Sequence, residues 1–378
     1  MKKGSRKRVS EVAGLDLGDK TSELCVLGED AEILEESRLS TTEEGIRRRF
    51  AHVPKMRVAI EAGTHSPWVS RLLEELGHEV IVANPRKLRL VYSNKRKCDR
   101  ADALYLARLA RMDPKLLAPV RHRKEKGQAD LALLRSREVL VQTRTRLINH
   151  VRGMVKSMGG RLPKGSARSF GSHLADAVPV RLRTALGPVL KTIDEVTERI
   201  KAYDRKIEEM ANRSYPETAR LRQVRGVGAL TALAFVLTLE DPARFERSRT
   251  VGAYLGLVPG RDSSGESDPQ RRITKEGDMY LRKTLVQSAH YLMGPFGEDC
   301  DLRRHGERIA ERGGKNGKKR ATVAVARKLS ILLHHLWRSG EEYDPLHNAS
   351  RQDRSKAVAA GAQLEAASSL MALKKAAK

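Results

Sequence analysis

Between residues 12 and 111, short apolar runs alternate with stretches of helical spacing. Segments 12–17, 23–27, 33–39, 57–61 and 79–83 are β-rich and predict five strands. Segments 42–52, 66–76 and 100–111 predict helices; the second opens Ser66-Pro67, and proline is tolerated in a first helical turn. Three strands, helix, strand, helix, strand, helix is the order of a meander followed by parallel additions. The expected fold is a mixed α/β sheet with helices on its faces.

From Gln128 the period changes. Leu133, Leu140, Leu147 and Met154 recur every seven residues, as do Leu134, Val141, Ile148 and Val155, which predicts a long helix with a coiled-coil seam. A stretch rich in Gly and Pro, 159–188, predicts a break. Val189, Ile193, Val196, Ile200, Tyr203, Ile207 and Met210 then step by four and three. Two long helices are expected, packed as a hairpin or paired with another subunit. Ser214-Tyr215-Pro216 ends that region, and a compact, mostly helical unit follows to about Arg338. The polar, then Ala/Lys-rich tail from Glu341 has no core of its own and is expected to be a flexible appendage. The expected layout is therefore an α/β domain over 9–125, a coiled-coil linker or oligomerisation region over 126–213, a helical domain over 214–340 and a tail over 341–378.

Composition changes the picture through charge. The chain of 378 residues carries 73 Lys+Arg against 47 Asp+Glu, a net charge of +26, so a polyanion is the expected partner. Charge alone fits equally a protein that only coats nucleic acid. Aromatic residues at 4% leave few rings for stacking bases. The longest apolar run, 230–239, is too short to span a membrane, and residues 1–8 lead into no apolar signal core. A cytoplasmic protein with no membrane partner is expected. Cys25, Cys98 and Cys300 are isolated and odd in number, which supports neither a disulfide framework nor a zinc knuckle.

Candidate chemistry starts with acids placed where apolar strands end. Asp16 closes the first predicted strand within Gly14-Leu15-Asp16-Leu17-Gly18, and Glu61 closes the fourth after Val58-Ala59-Ile60. Asp99 and Asp102 open a helix three residues apart, on one face. Singly, these are a turn residue, a strand end, an N-cap and a helix-dipole partner. Together, beside a polyanion, they call for a cation between them. Mg²⁺ prefers such oxygen ligands, and two ions roughly 4 Å apart stabilise both oxygens of a phosphoryl transfer.

In the second half, Val224-Arg225-Gly226-Val227-Gly228 before an apolar run fits a helix-hairpin-helix turn that approaches phosphate, or a tight turn before a buried helix. Ser263-Ser264-Gly265 precedes Arg271-Arg272-Ile273-Thr274-Lys275-Glu276-Gly277 and Tyr280-Leu281-Arg282. A serine among cations suits attack on a phosphodiester, and the same composition suits a solvated loop. The basic segment 313–320 suits sequence-independent backbone binding.

The set Asp16, Glu61, Asp99 and Asp102, with Asn84-Pro85 and the Asp-x-x-Asp-Ala segment, resembles the RuvC-like domain of the DEDD-type insertion-sequence transposases. The resemblance runs through the coiled coil to about residue 338. Cys98 departs from it, standing where threonine is expected, beside a proposed ligand. What the resemblance implies is a metal-dependent transposase with an RNase-H-like (RuvC-like) domain, then coiled-coil helices, then a mostly helical transposase domain. It makes Ser264 the nucleophile, with Ser263 the alternative, and a phosphoserine the intermediate. It makes Asp16, Glu61, Asp99 and Asp102 the Mg²⁺ ligands; Arg271, Arg272, Lys275 and Arg282 are then candidates for phosphate contact, with solvated surface cations as the alternative. It further implies double-stranded DNA as substrate, a structured guide RNA encoded by the element, a dimer or tetramer joined through the coiled coil, and a prokaryotic, nucleoid-associated location. The rival expectations are a RuvC-like junction-resolving nuclease that uses water, and a non-catalytic nucleic-acid binder. A sugar-kinase-like ATPase fits the Asp-x-Gly feature but not the basic charge or the lack of a second phosphate loop.

Overall fold

The computed structural model describes residues 11–91, 99–261 and 271–348, and the chain divides into two compact units between Lys124 and Glu125. In the first, β1 (Val12–Asp16), β2 (Thr21–Leu27) and β3 (Ile33–Ser40) form the meander, followed by α1 (Glu43–Phe50), β4 (Arg57–Glu61), α2 (Ser66–Glu75), β5 (Glu79–Ala83), α3 (Pro85–Val91) and α4 (Asp99–Met112). The sheet order is β3-β2-β1-β4-β5. β1 pairs antiparallel with β2 and parallel with β4, so the central strand joins the meander to the parallel half. This is the mixed sheet expected from the pattern, in the RNase-H-like layout that the resemblance implied.

Strand alternation divides the sheet into two faces. Ala13, Leu15, Leu24, Val26, Val58 and Ile60 pack with Ile46 and Phe50 of α1 and Val69, Leu72 and Leu73 of α2. On the other face, Val12, Ala59 and Ile81 meet Leu106 and Ala110 of α4, while Cys25 and Leu27 meet Ala103 and Ala107. The Thr42 side chain caps α1 by accepting from Gly45 N at 3.1 Å. α3 has no counterpart among the predicted helices. Asn84 starts it, its side chain accepting from Arg86 N at 3.1 Å and its carbonyl from the N–H groups of Lys87 and Leu88.

The second unit opens with α5 (Glu125–Ser157) and α6 (Val180–Arg213), then α7 (Thr218–Leu221), α8 (Ala229–Leu239), α9 (Val251–Tyr254), α10 (Met279–Met293), α11 (Asp301–Glu311) and α12 (Gly317–Ser339). α5 and α6 pair within the chain as an antiparallel hairpin. Tyr215 donates to Asp130 at 2.5 Å and Arg137 to Asp204 at 2.6 Å near its base. There Leu131, Leu134, Ile207 and Ala211 join the core formed with α8, α10 and α12. At the far end Ile148, Val151 and Val155 pack on Leu186, Leu190 and Ile193, with Phe170 and Val178 of the connection folded back over them.

Two expectations need correction. α6 begins at Val180, within the predicted break, and carries Pro188 inside it. An interior proline removes one backbone hydrogen bond at a cost of about 3 kcal/mol. Leu182, Leu186 and Leu190 on either side of it pack into the far-end core, and that burial offsets the lost bond. The tail, secondly, does not become an appendage at Glu341. Gly340 (φ 77°) ends α12, Tyr343 packs on the main core, Asp301 N donates to Pro345 O at 2.8 Å, and Asn348 binds the Asp301 carboxylate at 2.8 Å. Residues 349–378 lie outside the described residues. Among the described residues no helix is long and apolar enough to cross a membrane.

Candidate functional site

β1 is the strand that carries the first acid, and its sequence explains how a helix comes to lie against it. Gly14 leaves room for α4. A β-carbon at Gly14 would stand 2.0 Å from the Ala103 carbonyl oxygen and 2.6 Å from Ala107 N, so backbone packs on backbone there. Arg57 Nη1 donates to the Ala110 carbonyl at 3.1 Å, and Arg100 pairs with Glu36 of β3. α4 thus runs antiparallel to β1, with its acidic first turn at the strand end that holds Asp16.

The result is a compact group. One carboxylate oxygen each from Asp16, Asp99 and Asp102 lies within 4.8 Å of the others; Asp16 and Asp102 are half-buried and Asp99 is exposed. Glu61 is outside that group. It ends β4, the parallel neighbour of β1, one position past the Leu15–Ile60 pair, and by alternation it shares the face of Ala59, on which α4 lies. The four acids named from the sequence therefore share one sheet edge and one face, with three gathered closely and the fourth a strand away. Three like charges in this space repel one another unless a cation joins them. The donor set is all carboxylate oxygen, which fits a hard divalent ion such as Mg²⁺.

A fifth acid went unnoticed in the sequence. Glu23 sits directly opposite Asp16 across the β1–β2 ladder and is held by Arg38 of β3 at 2.6 Å. Cross-strand pairing puts it on the Asp16 face, a relationship that depends on register. The Arg38 guanidinium directs Glu23 toward β3. Asn84-Pro85 lies at the end of β5, where it starts α3; Cys98 lies outside the described residues.

The serine segment belongs to the second unit. Ser263 and Ser264 lie outside the described residues, but both ends of their segment are described. Gly260 N donates to Arg272 O at 2.9 Å, Thr274 N to Val258 O at 2.9 Å and Lys275 N to Gly256 O at 3.1 Å, and Pro259 bridges antiparallel to Ile273. Residues 256–260 and 272–275 are therefore stapled together at the base of the segment. Gly256 and Gly277 take positive φ (65° and 75°), and a β-carbon on Gly277 would stand 2.0 Å from Tyr254 O. Arg282 of α10 donates to Leu255 O at 2.9 Å and Glu276 O at 2.8 Å, tying both arms to the helix. Arg271, Arg272 and Lys275 are exposed, with Lys275 at φ 57°. Arg282, expected to meet phosphate, holds the fold of the segment through the Leu255 and Glu276 carbonyls.

The Val224–Gly228 turn precedes a helix that is buried almost throughout, and its Arg225 pairs with Glu298. Gly226 (φ 80°) lies against Tyr291, where a β-carbon would approach Cδ1 to 2.9 Å, so packing accounts for this glycine.

Comparison with known proteins covers both units. Residues 13–159 match a family described as Transposase (DEDD_Tnp_IS110), and residues 218–298 match Transposase IS116/IS110/IS902 family. The chain is 27% identical to the transposase for insertion sequence element IS1111A of Coxiella burnetii, over 88% of this chain and 91% of the relative. It is 30% identical to the transposase for insertion sequence element IS1328 of Yersinia enterocolitica, over 74% and 83%. It is 22% identical to the pilin gene-inverting protein of Moraxella bovis, over 88% and 97%.

Proposed function

Because this chain belongs to the IS110/IS116/IS902 family of insertion-sequence transposases, we propose that it cuts and rejoins DNA at the ends of its own element through a phosphoserine intermediate. The observation that carries the reading is the closeness of the Asp16, Asp99 and Asp102 carboxylates on an RNase-H-like sheet, in a chain of net charge +26. Glu61 would complete the ligand set from the neighbouring strand. Mg²⁺ held there, as two ions in this reading, supplies Lewis-acid stabilisation of the attacking and leaving oxygens.

Ser264 is the nucleophile in this reading. Its Oγ forms a bond to phosphorus as a deoxyribose oxygen leaves with the proton that the serine gives up, and a deoxyribose hydroxyl of the second strand later displaces Ser264 to rejoin the DNA. Arg271, Arg272 and Lys275 neutralise phosphate charge around that step, while Arg282 positions the segment. A covalent intermediate conserves the bond energy needed for rejoining, and the likeness to a gene-inverting protein supports rejoining as part of the activity. A structured RNA encoded by the element would choose donor and target DNA, which suits a protein with 4% aromatic residues for base stacking. A dimer or tetramer would bring the acids of one subunit to the serine of the same or another. The protein would act in the cytoplasm, at the nucleoid, where its DNA is.

The test is a denaturing gel of wild type, Ser264→Ala and Asp16→Ala with Mg²⁺, labelled element-junction DNA and RNA transcribed from the element's flank. A protein–DNA adduct seen with wild type and absent from both variants is expected. Free nicked DNA that persists in Ser264→Ala would overturn the serine step and favour hydrolysis by water.

A further inference from the structure

The α5–α6 hairpin is sharply polarised in charge along its length. Its base, residues 125–138 and 203–213, carries six Lys or Arg and six Asp or Glu. Its far half, residues 139–202, carries twelve Lys or Arg and four acids, Asp176, Asp194, Glu195 and Glu198, a net charge of +8. The general basicity of the chain does not explain this, since the same two helices are balanced where they meet the core.

Few of these cations are engaged. Arg183 lies 3.9 Å from Asp176 and donates to backbone carbonyls, Arg152 stacks over the Phe170 ring at 5.2 Å, Arg144 donates to Thr197 at 3.4 Å and Lys201 pairs with Glu198 at 2.7 Å. Lys156, Arg161, Lys164, Arg168, Arg181 and Lys191 are exposed and make no ion pair among the described residues. They are carried on a built end, because the far-end core of Ile148, Val151, Val155, Leu186, Leu190 and Ile193 holds both helices and the connection together. Residues 139–157 of α5 alone extend about 28 Å.

We infer that the far half of the hairpin is a binding surface for the phosphate backbone of duplex DNA. Uncompensated cations on a firm end bind a polyanion and release its counterions. The one Phe, Tyr or Trp in residues 139–202 is Phe170, which is 3% exposed, so an unpaired base would find only the small imidazole rings of His150 and His173 to stack on. Recognition of RNA relies heavily on such stacking at single-stranded loops, whereas duplex DNA presents a regular array of phosphates. Two such ends from separate copies would repel each other, which argues against this part of the hairpin as a contact between subunits. The inference is independent of the roles proposed for Ser264 and the carboxylates.

Two full-length variants with equal loss of charge test it. One combines Lys156→Gln, Arg161→Gln, Lys164→Gln and Arg168→Gln at the far end; the other combines Lys126→Gln, Arg205→Gln, Lys206→Gln and Arg213→Gln at the base. Binding of each to a long random-sequence DNA duplex is measured between about 50 and 200 mM salt, with thermal midpoints as the check on folding. The far-end variant is expected to flatten the slope of log affinity against log salt by about 3 to 4, at roughly 0.9 per phosphate contact, and the base variant to leave it unchanged. Equal changes in both, or none in either, would overturn the assignment. A photo-crosslinking residue at the exposed Ala167 gives a readout that keeps every cation: attachment to the duplex supports the inference, and attachment only to RNA or to a second copy of the chain refutes it.

Discussion

Gly14 and Ala103 touch through their backbones: a β-carbon on the glycine would stand 2.0 Å from the alanine's carbonyl oxygen. That contact sets the distance between Asp16, two residues on in β1, and Asp102, the residue before Ala103 in α4. Gly14→Ala is expected to push α4 off the sheet, destabilise the first unit by about 1–3 kcal/mol and separate the acids. Urea unfolding and Mg²⁺-dependent strand cleavage, measured on the same preparation, check both parts. A variant that keeps full stability and cleavage would show that the close approach is dispensable.

The acid group should report metal directly. Mg²⁺ that binds only the folded chain raises its unfolding temperature, by an amount equivalent to about 2.7 kcal/mol at a hundred times the dissociation constant. Asp16→Asn and Asp102→Asn are expected to lose most of that rise, and Glu23→Gln to retain it, because Glu23 is turned to Arg38. Scanning calorimetry with Mg²⁺ and with a chelator distinguishes them. A full rise in Asp102→Asn would remove this residue from the ligand set.

At the base of the serine segment, Gly277→Ala would place a β-carbon against Tyr254 O at a residue of φ 75°. Arg282→Met would leave the Leu255 and Glu276 carbonyls without their guanidinium donor. Each is expected to cost about 1–3 kcal/mol of stability. Each should also reduce adduct formation while DNA affinity changes less than tenfold. If Arg282→Met weakens DNA binding as much as it lowers adduct formation, Arg282 meets phosphate itself.

His334 gives a prediction in pH. It is fully buried in α12, with its ring nitrogens 2.8 Å from Ser248 Oγ and 2.9 Å from Pro242 O. Burial holds its pKa below the ordinary value near 6.5, against the raising effect of the Pro242 carbonyl and with Arg338 and His335 adding to the depression. The unfolded chain therefore binds the proton first as pH falls. Stability from this residue is complete above about pH 6.5 and declines as pH drops from there toward the lower folded value. Thermal midpoints from pH 8 to 5 should show a steeper acid fall in wild type than in His334→Gln. Parallel curves would exclude His334 as a contributor.

Much of the first unit was legible because its signals are local. Strands of alternating pattern and helices of regular spacing were found in the right order, and the ends of β1 and β4 carry the acids, as Asp16 and Glu61 suggested. Asp99 and Asp102, three apart, needed only helix periodicity to be put on one face. α3 was missed because it is seven residues long and its start depends on Asn84 hydrogen bonds. The start of α6 was misread because Pro188 and its neighbouring glycine signal a break locally, whereas burial of Leu182, Leu186 and Leu190 at the hairpin's far end favours continuing the helix.

By itself the sequence determined the order of the elements, the chemical character of the acids and the excess of positive charge, all of which follow from residue type and spacing along the chain. Only the tertiary structure decided that α5 pairs with α6 in the same chain, that Glu23 faces Asp16, that Arg282 ties carbonyls together, and that Asp16 comes within reach of Asp99 and Asp102. Those facts depend on register and on how closely Gly14 lets a helix approach a strand, and a linear pattern contains neither. Both depend on packing between segments distant in sequence.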